Sequence, residues 1–269
     1  MIIDLHTHIF PDRIAKKTID HLSEKGGIPA FTDGSEAGLL DALRSGGVDI
    51  AVNLPVVTDP KQFESINRFA KELNDRFDET AHPIISFGGI HPACEDIEGK
   101  MAWIAEQGFI GIKLHPDYQQ TYIDDDGYVK ILECAKKYDL VVVTHSGVDG
   151  GYRGHPVRCT PDRAKRLIDR VGHSKLVLAH LGANERYEEV YEELCGEDVY
   201  FDTAYILRFV EKETFMKILE KHSSDRILFA SDSPWSSIEN DVKILKSFGL
   251  DKETEDKIFY GNAKRLLGI

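Results

Sequence analysis

Short apolar runs recur along the chain, and eight of them carry enough consecutive branched or aromatic residues to be buried strands. They are Ile2 to His6, Val48 to Leu54, Pro83 to Ile90, Phe109 to Leu114, Leu140 to His145, Lys175 to His180, Val199 to Ala204 and Arg226 to Ser231. Most are apolar without alternation, which marks parallel strands covered on both faces. Segments with helical spacing lie between them, including Lys61 to Phe77, Met101 to Gln107, Val129 to Tyr138, Asp162 to Val171, Tyr187 to Leu194 and Glu213 to Lys221. Asp-Gly and Gly-Gly breaks, with Pro60 and Pro161 near helix starts, supply the punctuation. Strand then helix, repeated about eight times, predicts an α/β fold closed as a (β/α)8 TIM barrel, one domain over residues 1–269. No Gly-x-Gly-x-x-Gly follows the first strand, which argues against an open doubly wound sheet.

The polar residues that end these runs change the picture. Ile110 to His115, Val141 to His145, Leu176 to His180 and Ile227 to Asp232 each run from apolar residues into an imidazole or a carboxylate. Such groups are costly at the end of a buried strand unless they are coordinated or hydrogen bonded, so core packing does not explain them. In a barrel of this kind the active site lies at the carboxyl ends of the strands. That one assumption gathers His6, His8, His91, Lys113, His115, His145, His180, Tyr205 and Asp232 at one rim. In Asp4-Leu5-His6-Thr7-His8 the two imidazoles share one face of an extended strand. Both can then reach a single ion at the Zn–N distance of about 2.0–2.1 Å.

Composition excludes more than it selects. A chain of 269 residues, 42% hydrophobic, can bury one large core. Its net charge of -13 disfavours nucleic acid, whose binding rests on clustered Lys and Arg. The runs Glu185 to Glu193 and Asp251 to Lys257 read as solvated helix faces. No apolar stretch approaches the ~18 residues of a membrane span, and the start lacks the basic segment and apolar core of a secretory signal. The expectation is a cytoplasmic protein beginning at Met1, with a small-molecule substrate, no membrane partner, and homo-oligomers allowed. Cys94, Cys134, Cys159 and Cys195 form no Cys-x-x-Cys pair and read as reduced structural thiols.

The His-x-His after the first strand, single histidines after strands five and six, and Ser231-Asp232-Ser233-Pro234-Trp235 resemble the amidohydrolase superfamily. Gly111-Ile112-Lys113-Leu114-His115-Pro116 and Ala179-His180-Leu181-Gly182 narrow the resemblance to its amidohydrolase-2 branch, which contains metal-dependent hydrolases and decarboxylases of aromatic or unsaturated acids. The resemblance implies that His6, His8, His145 and Asp232 hold one divalent metal, most often zinc, with an open position for water. The ion would bring the pKa of that water toward about 7. Asp232 would take its proton as catalytic base, and His180 would orient the water or polarise a carbonyl. In binuclear relatives a carboxylated lysine bridges two metals; here that lysine is Lys113, and His180 would join a second ion. One ion with a plain Lys113 is the favoured expectation.

Lys113, His115, Arg153 and Tyr205 are the substrate-binding candidates. Arg153 lies in a glycine-containing loop, Gly147 to Cys159, that reads either as a lid clamping an anionic substrate or as a plain solvated loop. Arg208 is a second anion-clamp candidate, and Asp4 is expected to support a ligand by hydrogen bonding. For His91, a structural role is favoured. A phosphoesterase of the polymerase-and-histidinol-phosphatase type also begins Asp-Leu-His-Thr-His but ends its site with Asp-x-His, where Ser233 and Pro234 follow Asp232 here. A nuclease of the TatD group would share Gly89-Ile90-His91-Pro92 but carries a glutamate at the position of Lys113. The expected activity is hydrolysis of a small, carboxylated ester, amide, lactone or related bond by metal-activated water. The alternative is a metal-dependent decarboxylase of an aromatic or unsaturated acid, with Arg153, Phe10, Tyr205 and Trp235 supplying a cation and an apolar wall.

Overall fold

The computed structural model describes residues 1–77 and 81–269. Eight parallel strands follow the order of the chain: β1 (Ile3–Thr7), β2 (Ile50–Asn53), β3 in two pieces (Ile84–Ser86 and Gly88–Gly89), β4 (Gly111–Leu114), β5 (Val141–Thr144), β6 (Leu176–Leu178), β7 (Tyr200–Asp202) and β8 (Ile227–Leu228). Each pairs with the next, Ala51 beside Ile84 in β2–β3 and Ile112 beside Val142 in β4–β5, for example. The ring closes between the first and last strands, where Leu5 N donates to Phe229 O at 3.0 Å, Asp232 N to His6 O at 2.8 Å and His8 N to Ser233 O at 2.7 Å. The expected (β/α)8 barrel is therefore the fold, with observed strands shorter than the apolar runs that announce them.

The run between β1 and β2 holds two helices, α1 (Asp12–Gly26) and α2 (Glu36–Gly46). One helix then follows each strand: α3 (Phe63–Asn74), α4 (Ile97–Glu106), α5 (Asp126–Lys137), α6 (Pro161–Val171), α7 (Tyr187–Glu193), α8 (Lys212–His222) and α9 (Ile238–Ser247). Local chemistry sets their ends. Pro161 opens α6 where an amide would lack a partner, and Gly172 closes it in the left-handed conformation. Ser35 Oγ accepts from Gly38 N to cap α2. Two short helices, α10 (Lys252–Asp256) and α11 (Asn262–Leu267), finish the chain.

Side chains sort into two layers by strand parity. Ala51, Ile84, Ile112, Val142, Leu178 and Phe201 face the helices. Ile3, Leu5, Val52, Phe87, Val143, Val177 and Leu228 fill the interior, and Ala263, Leu266 and Leu267 of α11 join this inner cluster. The inner space is fully taken at the level of Phe87, since a Cβ on Gly111 would lie 2.3 Å from its ring. The polar mouth therefore sits on a packed floor. Among the described residues no helix is long and apolar enough to cross a membrane.

His222, at the end of α8, shows how neutral histidine is built into this shell. It stacks on Phe201 at 3.8 Å, accepts from Gly196 N through Nδ1 and donates from Nε2 to Val199 O. Burial pushes its pKa down from 6.5 to about 4. The unfolded chain takes up this proton below pH 6.5 while the folded chain resists until about 4, so stability is full above 6.5 and is lost as the pH falls toward 4. We expect His222→Gln to lose about 2 kcal/mol less than the parent between pH 7.5 and 5 in urea unfolding. Equal losses in the two proteins would contradict this assignment.

Candidate metal centre

The metal candidates begin on β1. Leu5 packs in the inner cluster, yet His6 and His8 also turn into the mouth, because the register of β1 against β2 shifts between Asp4 and Thr7. Such a bulge re-aims side chains near a barrel rim. His6 Nδ1 donates to Asp202 Oδ2 at 2.9 Å, and His8 Nδ1 donates to Leu54 O at 2.8 Å. With each Nδ1 proton so committed, both Nε2 atoms of the neutral rings carry lone pairs. Burial, reinforced by the charge of Lys113, holds the pKa of His6 well below its usual value, so its ring is neutral.

These two Nε2 atoms stand 3.2 Å apart and cannot hydrogen bond to each other. Asp232 Oδ1 is 3.2 Å from His8 Nε2 and 3.6 Å from His6 Nε2. A tetrahedral ion with nitrogen ligands at about 2.0–2.1 Å would separate them by about 3.3 Å, so the trio fits a divalent cation. Asp232 reaches this place from a turn after β8 in which its own φ is +67°. That turn is braced from β1: Asp4 accepts from Ser231 Oγ at 2.6 Å, from Ser231 N and from His6 N. Asp4 thus supports the ligand His6 through its backbone amide, not its ring, and the same carboxylate ties down the turn at Ser231.

Lys113 is 1% exposed and donates to His6 Nε2 at 2.9 Å. Burial pushes its pKa down to about 8, against the pull of Asp202 and Asp232. Asp202 was missed in the sequence. It ends β7, is fully buried, and accepts from His6 Nδ1 through Oδ2 and from the amides of His180 and Ala204 through Oδ1. The apolar run Val199 to Ala204 hides it, although a carboxylate inside such a run is itself a signal.

His145 is not brought into the trio. Among the described residues the group with converging ligand atoms is His6, His8 and Asp232, while His145 falls in a second group with His115 and Asp149. Its Nδ1 donates to His180 Nε2 at 2.9 Å, and His180 Nδ1 donates to Ala204 O. Both ring nitrogens of His180 are therefore engaged within the protein. His115 lies between His145 and Tyr118, stacked at 4.2 and 3.9 Å.

Arg153 turns away from the expected role. Its guanidinium pairs with Glu185 and is 64% exposed, so the structure offers no free clamp there. The loop that carries it is tied at its base: Gly147 N donates to Cys159 O, Val148 N to Asn184 O and Asn184 N to Ser146 O. Gly147 has φ +86°, and a Cβ there would meet Asn184 N at 2.1 Å. Tyr205 is half-buried at the rim against Phe209 and the Arg208 guanidinium, and Arg208 Nη2 donates to Trp235 O. His91 accepts from Ala93 N, a structural role. Burial pushes the Cys159 thiol up to about 12, as befits an inert cysteine.

The family model for amidohydrolases, in its second group, matches residues 3–269. The chain belongs to the amidohydrolase family. Solved structures with this fold include a 2,6-dihydroxybenzoate decarboxylase from Rhizobium, 18% identical with a TM-score of 0.70 over 99% of this chain and 98% of that one. A 5-carboxyvanillate decarboxylase from Sphingomonas paucimobilis is 15% identical, TM-score 0.70, over 100% and 99%. A dihydroxybenzoic acid decarboxylase from Polaromonas sp. JS666, bound to manganese and 2-nitroresorcinol, is 16% identical, TM-score 0.70, over 99% and 96%. No curated protein matches the sequence. These likenesses to decarboxylases overturn the expectation that this amidohydrolase-family chain is a hydrolase, and they favour the alternative.

The geometry makes Asp202 the residue that orients His6. Asp202→Asn, which keeps the size and an acceptor but loses the charge, should weaken metal affinity about tenfold or more in a chelator competition. Unchanged affinity would reduce Asp202 to a backbone brace.

Proposed function

We propose that this chain is a metal-dependent decarboxylase of an aromatic or unsaturated carboxylic acid. One observation carries the reading: a buried lysine ammonium bonds His6 Nε2, one of three converging ligand atoms, so a cation for an anionic group and a place for a divalent metal adjoin each other. The decarboxylases of the same fold support carboxylate loss as the reaction.

His6, His8 and Asp232 would hold the ion. When bound, the ion supplies Lewis-acid charge for oxygens of the substrate. Lys113 Nζ binds the carboxylate by a charge-assisted hydrogen bond. Asp232 carries a proton to the carbon that bears the carboxylate; the carbon–carbon bond then breaks, its electron pair returns to the unsaturated system, and carbon dioxide departs. Water returns the proton to Asp232 and the hydroxide left behind takes up the carbon dioxide as bicarbonate in solution, so the net change on the acid is exchange of a carboxylate for a hydrogen. Asp202 keeps the His6 ring in the tautomer that this requires. Tyr205 and Trp235 supply an apolar wall at the rim. Manganese is the first metal to try, because the Polaromonas decarboxylase holds it; zinc is the comparison.

Protein stripped with chelator and reloaded with Mn2+ or Zn2+ should release carbon dioxide from 2,6-dihydroxybenzoate, 5-carboxyvanillate or a related acid, in the amount of acid consumed. Asp232→Asn should lower turnover by a factor of about 10² to 10⁴. Hydrolysis of an ester or lactone, with no carbon dioxide from any acid in the panel, would reject the proposal. Lys113→Met should raise KM for the acid, and an unchanged KM would remove Lys113 from substrate binding.

A further inference from the structure

Arg208 is a cation at the rim that takes no part in the proposed reaction. It ends a short helical turn, Ile206–Arg208, just after β7. Its Nη2 donates to Trp235 O at 2.7 Å, and Trp235 N donates to Asp232 O at 2.7 Å, so the guanidinium stands one tight turn from a metal-ligand candidate. Tyr205 feels both charges: burial raises the pKa of its hydroxyl, Arg208 opposes this, and the Asp232 carboxylate adds to it.

The guanidinium lacks the partner that such a group ordinarily has. Among the described residues the other half-buried arginines all pair with a carboxylate, Arg158 with Asp117, Arg163 with Asp124, Arg186 with Glu189 and Arg226 with Asp198. Arg208 is half-buried too, yet its Nε is buried without an acceptor and its Nη2 bonds only a neutral carbonyl. Asp241 feels its charge, but burial pushes that carboxyl up to about 7, and neither of its oxygens bonds the guanidinium. A partly desolvated charge left this way is costly until an anion reaches it.

Aromatic rings frame the same group. The guanidinium carbon is 4.7 Å from the ring centre of Phe209, 4.8 Å from that of Tyr205 and 5.4 Å from that of Phe31. Phe31 is tied to the turn after β8 by its amide, which donates to Pro234 O at 2.7 Å. Phe209 is 59% exposed and Phe31 47%, so two large apolar rings stand in solvent beside an unpaired cation. Exposed apolar surface gathered around one charge marks a place for a ligand that is itself apolar and oppositely charged. The rings also hold the guanidinium in place, which spares part of the entropy that an anion would cost it.

We propose that Arg208, framed by Tyr205, Phe209 and Phe31, is a second anion subsite, and that the preferred substrate is an aromatic acid with two acidic groups, one held at Lys113 and the other at Arg208. The inference rests on the decarboxylase reading for the place of the first carboxylate. The forked donors of arginine match a carboxylate better than any other side chain does, so the second acidic group is best met by a second carboxylate.

Calorimetry on the Mn2+-loaded chain at neutral pH tests this with benzoate, isophthalate and terephthalate, the two diacids directing their second carboxylate differently. One diacid should bind about tenfold more tightly than benzoate, and in Arg208→Gln that ratio should fall below about twofold. Diacids no tighter than benzoate in the parent overturn the proposal. A ratio unchanged in R208Q also overturns it and leaves Arg208 as a brace for the turn that carries Asp232. Should R208Q fail to fold, R208K keeps the charge without the fork and should lower the ratio about threefold, an unchanged ratio counting against the proposal in the same way. Carbon dioxide release, followed in parallel on the acids of the decarboxylation panel, separates the two claims. Release without a preference for the second carboxylate sinks the subsite alone, and the preference without release sinks the reaction alone.

Discussion

Two neutral imidazoles with their lone pairs turned toward each other are the constraint on which the site depends. The Nδ1 protons of His6 and His8 are spent on Asp202 and on the Leu54 carbonyl, so the facing Nε2 atoms have nothing to share at 3.2 Å. A carboxylate oxygen of Asp232 adds a third acceptor to the same space. Such an arrangement is repulsive without a positive charge, and the Lys113 ammonium already answers part of that need. Orientation of this kind comes from the partners behind the ligands as much as from the ligands themselves.

The fold places its closure where the chemistry is. The hydrogen bonds that join β8 to β1 run through His6, His8, Asp232 and Ser233, so closing the ring and assembling the trio are one event. His180, Tyr205 and Asp232, after β6, β7 and β8, all have positive φ. Non-glycine residues adopt that region at a cost, and at a barrel rim the surrounding structure holds them there. Below, the inner cluster with Phe87 and the terminal helix gives the polar layer a rigid base. The same logic extends to the shell: burial keeps His222 neutral, and its two nitrogens hold fixed opposite roles, one accepting and one donating.

Much of this was legible in the residues. Consecutive apolar runs located all eight strands, and polar endings located His6, His8, Lys113 and Asp232, because a charge at the end of a buried run needs a reason. Asp202 escaped because it sits one position inside a run that continues as Thr203-Ala204. The bulge in β1 escaped too, since strict alternation already put His6 and His8 on one face and gave no hint that Leu5 would join them. His145 carries the right residue at the right strand, but its orientation depends on His180 and on the loop bearing Asp149, contacts that no spacing reveals. Charge and glycine content single out Arg153 but not its partner Glu185, which lies on another loop. Hydrolysis was the expected chemistry because ligand types fit either reaction equally; the bond that is broken depends on pocket contents outside the ligand set.

The trio can be tested directly by anomalous diffraction at the manganese edge from crystals grown with MnCl2. The account predicts a peak bonded at once to His6 Nε2, His8 Nε2 and Asp232 Oδ1, with the His8 Nδ1 to Leu54 and His6 Nδ1 to Asp202 hydrogen bonds retained. Crystals that take up manganese elsewhere and leave those three atoms without a peak would contradict it.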